Sequence, residues 1–553
     1  MFARNNNTDH ARASAVQALA ALVCAVVIFS SVRAEQPEPL GGDSPVALPL
    51  VGAVLITSNS IFDLDEPSED RAAYRLANKL HVTTRPEVIR QQLLFEPGEP
   101  YSKQVIEESE RILRSNRYIQ EASIQPVLRD DGVVDINVTT SDVWTLMPKL
   151  SFSQAGGASK TAIGIKEMNL LGTGIAVEAM YKSDIDRDSR VFRVVDRNLG
   201  QSWYRTAMSI AENSDGYEYA FEIGKPFYSL NSTDSRMLSL LDMDRIEPVY
   251  VDGEQESEFR LMSRGLALSF GRSKGLEDGW ARRVTYGLAF DERVYSATES
   301  TDPSLLAEFD NQSLVYPYVG IDFVEDDFAK ASNFDQINRI EDRFLGTRIT
   351  ARVGVAGRAF GSDRDALLVD ARAEKGFGDT AKNSLMLTTS LASRFERDGP
   401  HNLQFGINAK FYRRQSERRL LYIGLAGTYG HNLDLDQYQP LGGDSGMRGY
   451  PIRFQNGDKH AVFTVEQRLF THWYPFRLFY VGGAAFFDVG RAWGESPLDS
   501  ANDMLLKDIG FGLRLGGTRS GLGRMIHIDV AFPLDAPAGI DNVQFLVSTR
   551  KSF

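Results

Sequence analysis

The chain has 553 residues and a formal net charge of −13, from 61 Lys and Arg against 74 Asp and Glu. This length predicts two or more structural units. The acidic balance argues against a nucleic-acid-binding protein, which usually presents a basic face. Beyond the first 34 residues, no apolar run reaches about 18 residues, which argues against a helical membrane protein. The composition is typical both of a soluble protein and of a large β-barrel.

The N-terminal residues 1–34 resemble a secretory leader. A basic start precedes the apolar stretch 16–32, and Val32-Arg33-Ala34 has the small or apolar residues of a cleavage site. A single transmembrane anchor and a lipoprotein modified at Cys24 are the alternatives. Cys24 is the only cysteine, so we expect no disulfide and no thiol chemistry after processing. Residues 35–50 are rich in Pro, Gly and acidic residues and predict a linker.

Residues 51–142 have the pattern of a small α/β domain in the order strand, helix, helix, strand, strand. One helix places apolar residues on one side, and a later helix carries its charged residues outside an apolar stripe. Thr84 and Ser102 are candidate helix caps. The elements are a strand over 51–62, a helix over 71–80 with Ala72, Ala73, Leu76 and Leu80 on one side, a helix opened by Ser102 with Glu107, Glu108, Glu110, Arg111 and Arg114 outside, and strands over 122–128 and 133–139. The exposed sheet edge could accept another chain by strand addition, and a spacer domain without a binding role is the alternative.

From residue 143 to residue 553 the chain alternates between apolar and polar positions. In one segment Ile526 and Ile528 oppose His527 and Asp529. Another segment, 461–470, places Glu466 and Arg468 on its polar face, which we expect to face a barrel lumen. We count roughly sixteen to twenty candidate strands, five of them after residues 431–460. The stretch 146–271 fits four long strands or eight short ones.

Alternation alone does not separate a membrane barrel from a soluble β-sandwich, but three features favour the barrel. The chain has a predicted leader, and its last strand carries Phe545 and Val547 and ends at Phe553. The connections are short at one set of ends and long at the other, as at 325–343 and 431–460. We therefore expect a transmembrane antiparallel β-barrel of about sixteen strands or more over residues 143–553.

Two motifs that suggest chemistry are weak. Gly443-Asp444-Ser445-Gly446 resembles the serine context of trypsin-like proteases, but Met447 follows it and few histidines could serve as a base. The acidic run Asp184, Asp186 and Asp188 lacks the glycine and the distal glutamate of a calcium loop, so a solvated loop is expected. We expect no catalytic site, metal or other cofactor.

A third candidate is a pair of opposite charges. Arg448 lies in the long segment, and Asp488 lies on a strand whose even-numbered face is mostly small or polar. An inward-folding loop would place Arg448 against Asp488 in a charge-assisted hydrogen bond. Two unrelated residues, one in a loop and one on a strand, are the alternative.

These motifs resemble those of the BamA/TamA superfamily, whose members join periplasmic POTRA domains to a surface-antigen barrel. The most specific is Arg448-Gly449-Tyr450, which is similar to the Arg-Gly-Tyr of the family's inward-folded sixth loop. Its partner motif on a later strand is Phe486, Asp488 and Gly490. The resemblance implies that these six residues lock the loop inside the barrel.

Other segments carry the same resemblance. Residues 169–174 are similar to the family's early barrel hairpin, and the C-terminal strand with Phe545, Val547 and Phe553 resembles its assembly signal. Residues 51–142 resemble one POTRA domain, whereas BamA itself usually carries several. The family barrel has sixteen strands, with a weak seam between the first and the last strand, here near 146–153 and 542–553.

The resemblance implies a non-enzymatic outer-membrane protein that inserts or translocates polypeptides. Its expected partners are outer-membrane lipids, unfolded polypeptide clients bound at the POTRA edge strand, and periplasmic accessory proteins, with no nucleic acid. The POTRA-like domain would lie in the periplasm. A structural or lipid-transport barrel without a protein client is the alternative function.

Overall fold

The computed structural model describes residues 49–155, 158–200, 202–498, 504–520, 525–537 and 539–550. The predicted leader, the linker up to residue 48 and Phe553 lie outside these residues. No helix in the described part of the chain is long and apolar enough to span a membrane.

The first unit is a three-stranded sheet with three helices. Its elements are β1 (Val51–Asn59), α1 (Ala72–Leu80), α2 (Pro86–Arg90), α3 (Lys103–Ser115), β2 (Ile119–Leu128) and β3 (Val134–Asp142). The central strand β3 pairs in parallel with β1 and antiparallel with β2. Ile89 of α2 and Leu113 of α3 are fully buried against Ile136 of the sheet, so two helices supply the core. The hydroxyl of Ser102 caps α3 by accepting the N–H of Val105 at 3.5 Å.

The prediction that Thr84 caps a helix is wrong. Helix α2 begins after Arg85, with Pro86 in its first turn. The Thr84 hydroxyl instead donates to Asp142 at 2.9 Å and accepts from the Asn169 amide at 2.7 Å. Both partners lie at the junction with the second unit, so the hydroxyl joins the two units rather than starting a helix.

The second unit is a closed antiparallel barrel, and the described residues form twenty strands of it, at the upper end of the range that the sequence predicts. Its first ten strands are β4 (Leu146–Ala155), β5 (Ala158–Glu167), β6 (Ala176–Ser183), β7 (Asp188–Leu199), β8 (Tyr204–Asn213), β9 (Gly216–Lys225), β10 (Asp234–Val251), β11 (Glu254–Glu277), β12 (Trp280–Ala297) and β13 (Gln312–Glu325). The stretch 146–271 thus holds seven whole strands and most of an eighth.

A separate hairpin, β14 (Phe328–Ser332) with β15 (Ile340–Phe344), interrupts the barrel after β13. The remaining ten barrel strands are β16 (Thr347–Ala356), β17 (Ala366–Asp379), β18 (Asn383–Glu396), β19 (Gly399–Ser416), β20 (Arg419–His431), β21 (Lys459–Phe470), β22 (Phe479–Trp493), β23 (Leu506–Gly517), β24 (Met525–Pro533) and β25 (Gln544–Arg550). The first and last strands, β4 and β25, lie side by side and close the ring.

Alternation along each strand separates an apolar outside from a polar lumen. On β23, Phe511 and Leu513 are 58% and 50% exposed, whereas Asp508 and Arg514 are fully buried. On β24, His527 and Asp529 are likewise buried, and Ile528 is exposed. An apolar outer face around a polar interior is the arrangement of a membrane barrel, because a soluble sandwich would bury its apolar face.

The two long connections leave the barrel at opposite ends, which corrects the prediction that they share one set of ends. β4 follows β3 after three residues, so it starts beside the first unit, and each later strand reverses direction. β13 therefore runs toward the first unit and β20 runs away from it. The five strands β16–β20 separate the two connections, and an odd number of crossings changes the end of the barrel.

Candidate functional site

Arg448 lies at the centre of the barrel lumen with no exposed surface. Its Nε donates to Asp488 Oδ2 at 2.7 Å and its Nη2 donates to Asp488 Oδ1 at 3.0 Å. The remaining nitrogen donates to Glu466 at 3.1 Å and to Asp529 at 3.3 Å. A planar guanidinium that forms two parallel bonds with a carboxylate is a strong and directional contact. The structure therefore brings Arg448 and Asp488 together as one buried pair.

Two further arginines balance the acidic groups around this pair. Arg514 contacts Glu466 at 3.0 Å and Asp529 at 2.5 Å. Arg468 donates to the other oxygen of Glu466 at 2.8 Å. Buried charges are tolerated when they are paired and hydrogen-bonded, so the network stabilises the loop only as a complete set. We did not predict Asp529 or Arg514 as site residues, although both stand on the polar faces of alternating strands and carried that signal.

The two residues after Arg448 seat the loop against β23. The N–H of Gly449 donates to Asp508 at 3.0 Å, and a Cβ at this position would lie 2.6 Å from the Cβ of Asp508. The hydroxyl of Tyr450 donates to the backbone oxygen of Lys507 at 3.1 Å. Glycine is thus required by space, and the tyrosine fixes the loop to the strand backbone.

The partner motif on β22 contributes one ring and one glycine. The ring of Phe486 stacks on the Arg448 guanidinium, with 3.2 Å from the guanidinium carbon to the ring centre. A Cβ on Gly490 would lie 2.7 Å from the sulfur of Met447. The alternate residues Phe486, Asp488 and Gly490 therefore line one face, on which the loop rests.

A second contact holds the same loop to the barrel rim and corrects the prediction of a solvated acidic run for Asp186, whereas Asp184 and Asp188 are exposed as expected. Both terminal nitrogens of Arg453 bind Asp186, at 2.6 and 2.5 Å. The hydroxyl of Tyr250 donates to the same carboxylate at 2.9 Å. Asp186 therefore anchors the loop over 432–458.

The hairpin β14–β15 enters the lumen from the opposite end, which the sequence pattern did not indicate. Phe334 and Ile337 at its tip are buried against lumen residues of β19 and β20, among them Tyr412 and Tyr422. A Cβ on Gly516 of β23 would lie 2.9 Å from Ile337, so the fit is close. A cavity of about 660 Å³ remains beside the hairpin, lined in part by β17–β20.

Arg468 joins this hairpin to the loop. One of its terminal nitrogens donates to the backbone oxygen of Phe334 at 2.7 Å, and its Nε binds Glu466 at 2.8 Å. Glu466 in turn binds Arg448. Glu466 and Arg468, which we predicted to face the lumen and to support the lock, thus connect the two segments that enter the barrel from opposite ends.

The hairpin also binds helix α3, on which Glu108, Glu110 and Arg114 are buried and do not point outside as predicted, whereas Glu107 is exposed as expected. Arg114 binds Asp342 at 2.6 and 2.9 Å, and Lys330 binds Glu110 at 3.0 Å. Glu108 accepts the N–H of Leu230, in the connection between β9 and β10, at 2.7 Å. Burial raises the pKa of the Glu108 carboxyl. The charges are buried because the helix docks against the barrel mouth.

Other contacts fix the first unit under the barrel. The Asn198 amide donates to the backbone oxygen of Gln91 at 3.0 Å, and Arg519 donates to Glu69 at 2.5 Å. The predicted early hairpin motif 169–174 is the turn between β5 and β6, where Arg85 donates its N–H to Gly172 at 3.1 Å. The first unit therefore contacts several sectors of the barrel mouth and, with the hairpin, covers it.

The sheet of the first unit has an open edge along β2. Among the described residues, no backbone hydrogen bond from outside the sheet reaches Ser123–Leu128 of β2. The Arg129 N–H donates to the backbone oxygen of Val133, so the backbone polar groups of Arg129 face β3. Because these groups point to opposite sides in successive residues, those of Ile124, Pro126 and Leu128 point toward the free edge. Pro126 has no N–H, so the edge offers donors only on either side of it.

Two further predicted residues lie on the last strand. Phe545 is exposed on the outer face, Val547 is half-buried, and Phe553 lies outside the described residues. Elsewhere Glu396, Asp398 and His401 bring ligand atoms within 4.8 Å of one another, but both ring nitrogens of His401 already face Asp398 and Asn432 at 3.0 Å.

Residues 81–141 match the POTRA family, described as a surface antigen variable number repeat. No curated protein matches the chain.

Three solved structures align with most of the chain at low similarity. BamA from Haemophilus ducreyi lacking POTRA domains 1–3 has 12% identity and a TM-score of 0.39, and the alignment covers 90% of this chain and 84% of that one. CdiB from Acinetobacter baumannii has 12% identity and a TM-score of 0.43, covering 91% and 74%. CdiB from Escherichia coli has 12% identity and a TM-score of 0.46, covering 91% and 76%. With the matched repeat and the observed barrel, the chain is a POTRA domain joined to a β-barrel, the architecture that its resemblance to the BamA/TamA superfamily implies.

Proposed function

We propose that this protein inserts or translocates unfolded polypeptides at the outer membrane, without enzymatic chemistry. The POTRA domain would lie in the periplasm, and the barrel would span the membrane with its apolar outer face against lipid. The observation that carries the proposal is the position of the open edge. β2 is the neighbour of β3, and β3 continues after three residues into β4, one of the two strands at the closure.

A client segment added to β2 would extend the POTRA sheet by one strand. Main-chain hydrogen bonds then give affinity without requiring a fixed sequence, which suits an unfolded client. Exposed apolar side chains at the end of the edge, Val127 and Leu128, offer further contact. Because β3 leads directly into β4, the end of a bound client beside Ser123 would be nearer to the barrel closure than the end beside Leu128.

The geometry also supports a closed resting state. The loop over 432–458 and the hairpin β14–β15 enter the lumen from opposite ends, and the POTRA domain covers the mouth. Transport would require these elements to move or the β4–β25 closure to open.

Photo-crosslinking tests the edge. A photoreactive residue at Gln125 of β2, placed in the full chain in proteoliposomes, should crosslink to an urea-unfolded outer-membrane barrel protein. The same residue at Lys103, exposed on α3, should not. Equal labelling at both positions would remove the case for strand addition.

A folding assay tests the activity itself. Vesicles that contain the protein should speed the appearance of protease-resistant client relative to empty vesicles. Unchanged client folding, with a correctly inserted barrel, would favour the alternative of a structural or lipid-transport barrel without a protein client.

A further inference from the structure

Helix α1 presents an apolar face to solvent. The residues that the sequence places on one side, Ala72, Ala73, Leu76 and Leu80, are all exposed, and Leu76 and Leu80 are 56% and 64% exposed. The helix packs on the domain through its other side, where Tyr74 stacks on Phe62 with ring centres 4.3 Å apart. An exposed apolar face on a helix is costly in water and indicates an interaction surface.

A row of basic residues runs beside this face. Arg71, Arg75 and Lys79 follow one another every four residues, and all three are exposed. The apolar residues Ala72, Leu76 and Leu80 each lie one position after them and are also exposed. Among the described residues, Arg75 alone of the three forms an ion pair, with Asp70 at the helix boundary at 3.3 Å. Adjacent apolar and basic rows are typical of a helix that lies in the headgroup region of a membrane.

The helix lies against the strand ends of the barrel rather than far below them. The Tyr74 hydroxyl donates to the backbone oxygen of Phe476, in the turn between β21 and β22, at 2.8 Å. In that turn Trp473 and Phe476 are 64% and 75% exposed. Exposed aromatic residues at a barrel rim mark the membrane–water interface, where amphipathic rings settle.

The helix also lies beside the closure of the barrel. Trp144, two residues before β4, packs on the cluster formed by Ile61, Phe62 and Tyr74. The N–H of Trp144 donates to the backbone oxygen of Arg519, in the turn between β23 and β24, at 2.8 Å. Helix α1 therefore adjoins both the exposed aromatic turn and the residues that lead into β4, and its apolar face stays exposed there.

We propose that α1 is an interfacial helix that inserts Leu76 and Leu80 into the inner leaflet beside the barrel closure and places Arg71, Arg75 and Lys79 against lipid phosphates. The inference rests on the proposed membrane location of the barrel. It adds a second attachment of the POTRA domain, to lipid as well as to the barrel mouth. The charge row and the continuity with the aromatic rim favour lipid over a protein partner as the occupant of this face.

Fluorescence quenching tests the contact. In a Cys24→Ser background, Leu76→Cys and, as a matched control, Leu128→Cys are labelled with an environment-sensitive fluorophore. Leu128 is also exposed and apolar but lies at the far end of β2, away from the rim. The full chain is placed in vesicles of phosphatidylcholine and phosphatidylglycerol that carry a quencher high on the acyl chains. The label at 76 should be quenched, and the label at 128 should not.

A charge variant tests the basic row. In the anionic vesicles, the double variant Arg71→Gln with Lys79→Gln should lower the ratio of quenched to unquenched label at position 76 by about fivefold for each charge removed. The same variant should change little in phosphatidylcholine alone. Equal effects in both lipids would contradict the role given to lipid charge.

Heat-modifiability of the same samples separates the two proposals. If the barrel shifts on the gel and the label at 76 remains unquenched, the interfacial helix is wrong and a protein partner becomes the occupant. If the barrel itself is not inserted, the proposed membrane function fails first.

Discussion

At the scale of single residues, the lumen network depends on Arg448, because its guanidinium binds three buried carboxylates at once. Arg448→Ala would leave Asp488 buried without its partner and leave Glu466 and Asp529 with one donor fewer each. Breaking a buried pair from one side typically costs about 3–5 kcal/mol. We expect Arg448→Ala to lower the temperature at which the barrel loses its folded mobility on a gel.

Lysine in place of Arg448 separates charge from geometry. Arg448→Lys keeps the charge but loses the forked geometry of the guanidinium. The temperature at which this variant loses its folded mobility should therefore lie between those of the native chain and of Arg448→Ala. Arg397→Ala, which removes an exposed arginine paired with Asp365, is the control and should leave the temperature almost unchanged. Equal temperatures for all three variants would show that the pair does not hold the barrel.

A single methyl group should act on the same loop by a different route. Gly449→Ala places a Cβ 2.6 Å from Asp508 Cβ and 3.0 Å from the backbone nitrogen of Pro533, so the loop must shift. We expect faster cleavage of the loop over 432–458 by an added protease, with the barrel still inserted. Gly399→Ala, whose Cβ would meet no atom within 4 Å, controls for backbone effects although its φ of 141° adds some strain. Identical cleavage rates would contradict the close fit at Gly449.

At the scale of elements, the hairpin β14–β15 is the main obstruction that enters from the POTRA end. Replacing 328–344 by a short Gly-Ser linker removes Phe334 and Ile337 from the lumen wall. The single-channel conductance in planar bilayers should rise. The same replacement of 358–364, which connects β16 and β17 at the other end, should leave the conductance near that of the native protein. An unchanged conductance without the hairpin would mean that another element blocks the path.

The sequence predicts some of these elements and not others, for physical reasons. Local alternation is enough to place β21–β25, because each strand carries its own apolar and polar face. The ends of the connections depend instead on the number of strands between them, which is a property of the whole barrel. Thr84 shows the same limit on a smaller scale, since its hydroxyl donates to Asp142 and accepts from Asn169, and both partners are distant in sequence.

At the scale of the whole molecule, docking of the POTRA domain should depend on pH through Glu108. Burial raises the pKa of the Glu108 carboxyl, so this carboxyl binds its proton more tightly in the docked domain than in an undocked one. The stabilisation is fully present below the ordinary pKa of glutamic acid and is lost as the pH rises through the raised value. Hydrogen exchange in α3, corrected for intrinsic rates, should therefore show less protection at pH 8 than at pH 5.

Glutamine at this position tests the assignment. Glu108→Gln still offers an oxygen to the N–H of Leu230 but does not ionise, so the protection of α3 should become independent of pH. Glu107→Gln, one residue away and half exposed, should keep the native pH dependence. A pH dependence that survives in Glu108→Gln would assign it to another group.

The residues at the centre of the site could be predicted from the sequence, but the contacts that extend the network to other segments could not. Arg448, Asp488 and their glycines stand in short motifs that a sequence shows directly. The contacts that extend the network, from Arg468 to Phe334 and from Asp342 to Arg114, join segments that are far apart in the chain. Only the closed barrel brings them together, so no local pattern indicates them.

The link through Arg468 and Glu466 has a thermodynamic consequence. The two residues contact both the hairpin from the POTRA end and the loop from the other end, so the free energy of seating one segment includes a contribution from the other. Such a coupling is reciprocal by necessity. If a ligand of the loop over 432–458 changes the equilibrium constant for withdrawal of the hairpin by some factor, withdrawal of the hairpin changes the affinity for that ligand by the same factor. An event on one side of the membrane is thereby reported on the other side without any molecule crossing.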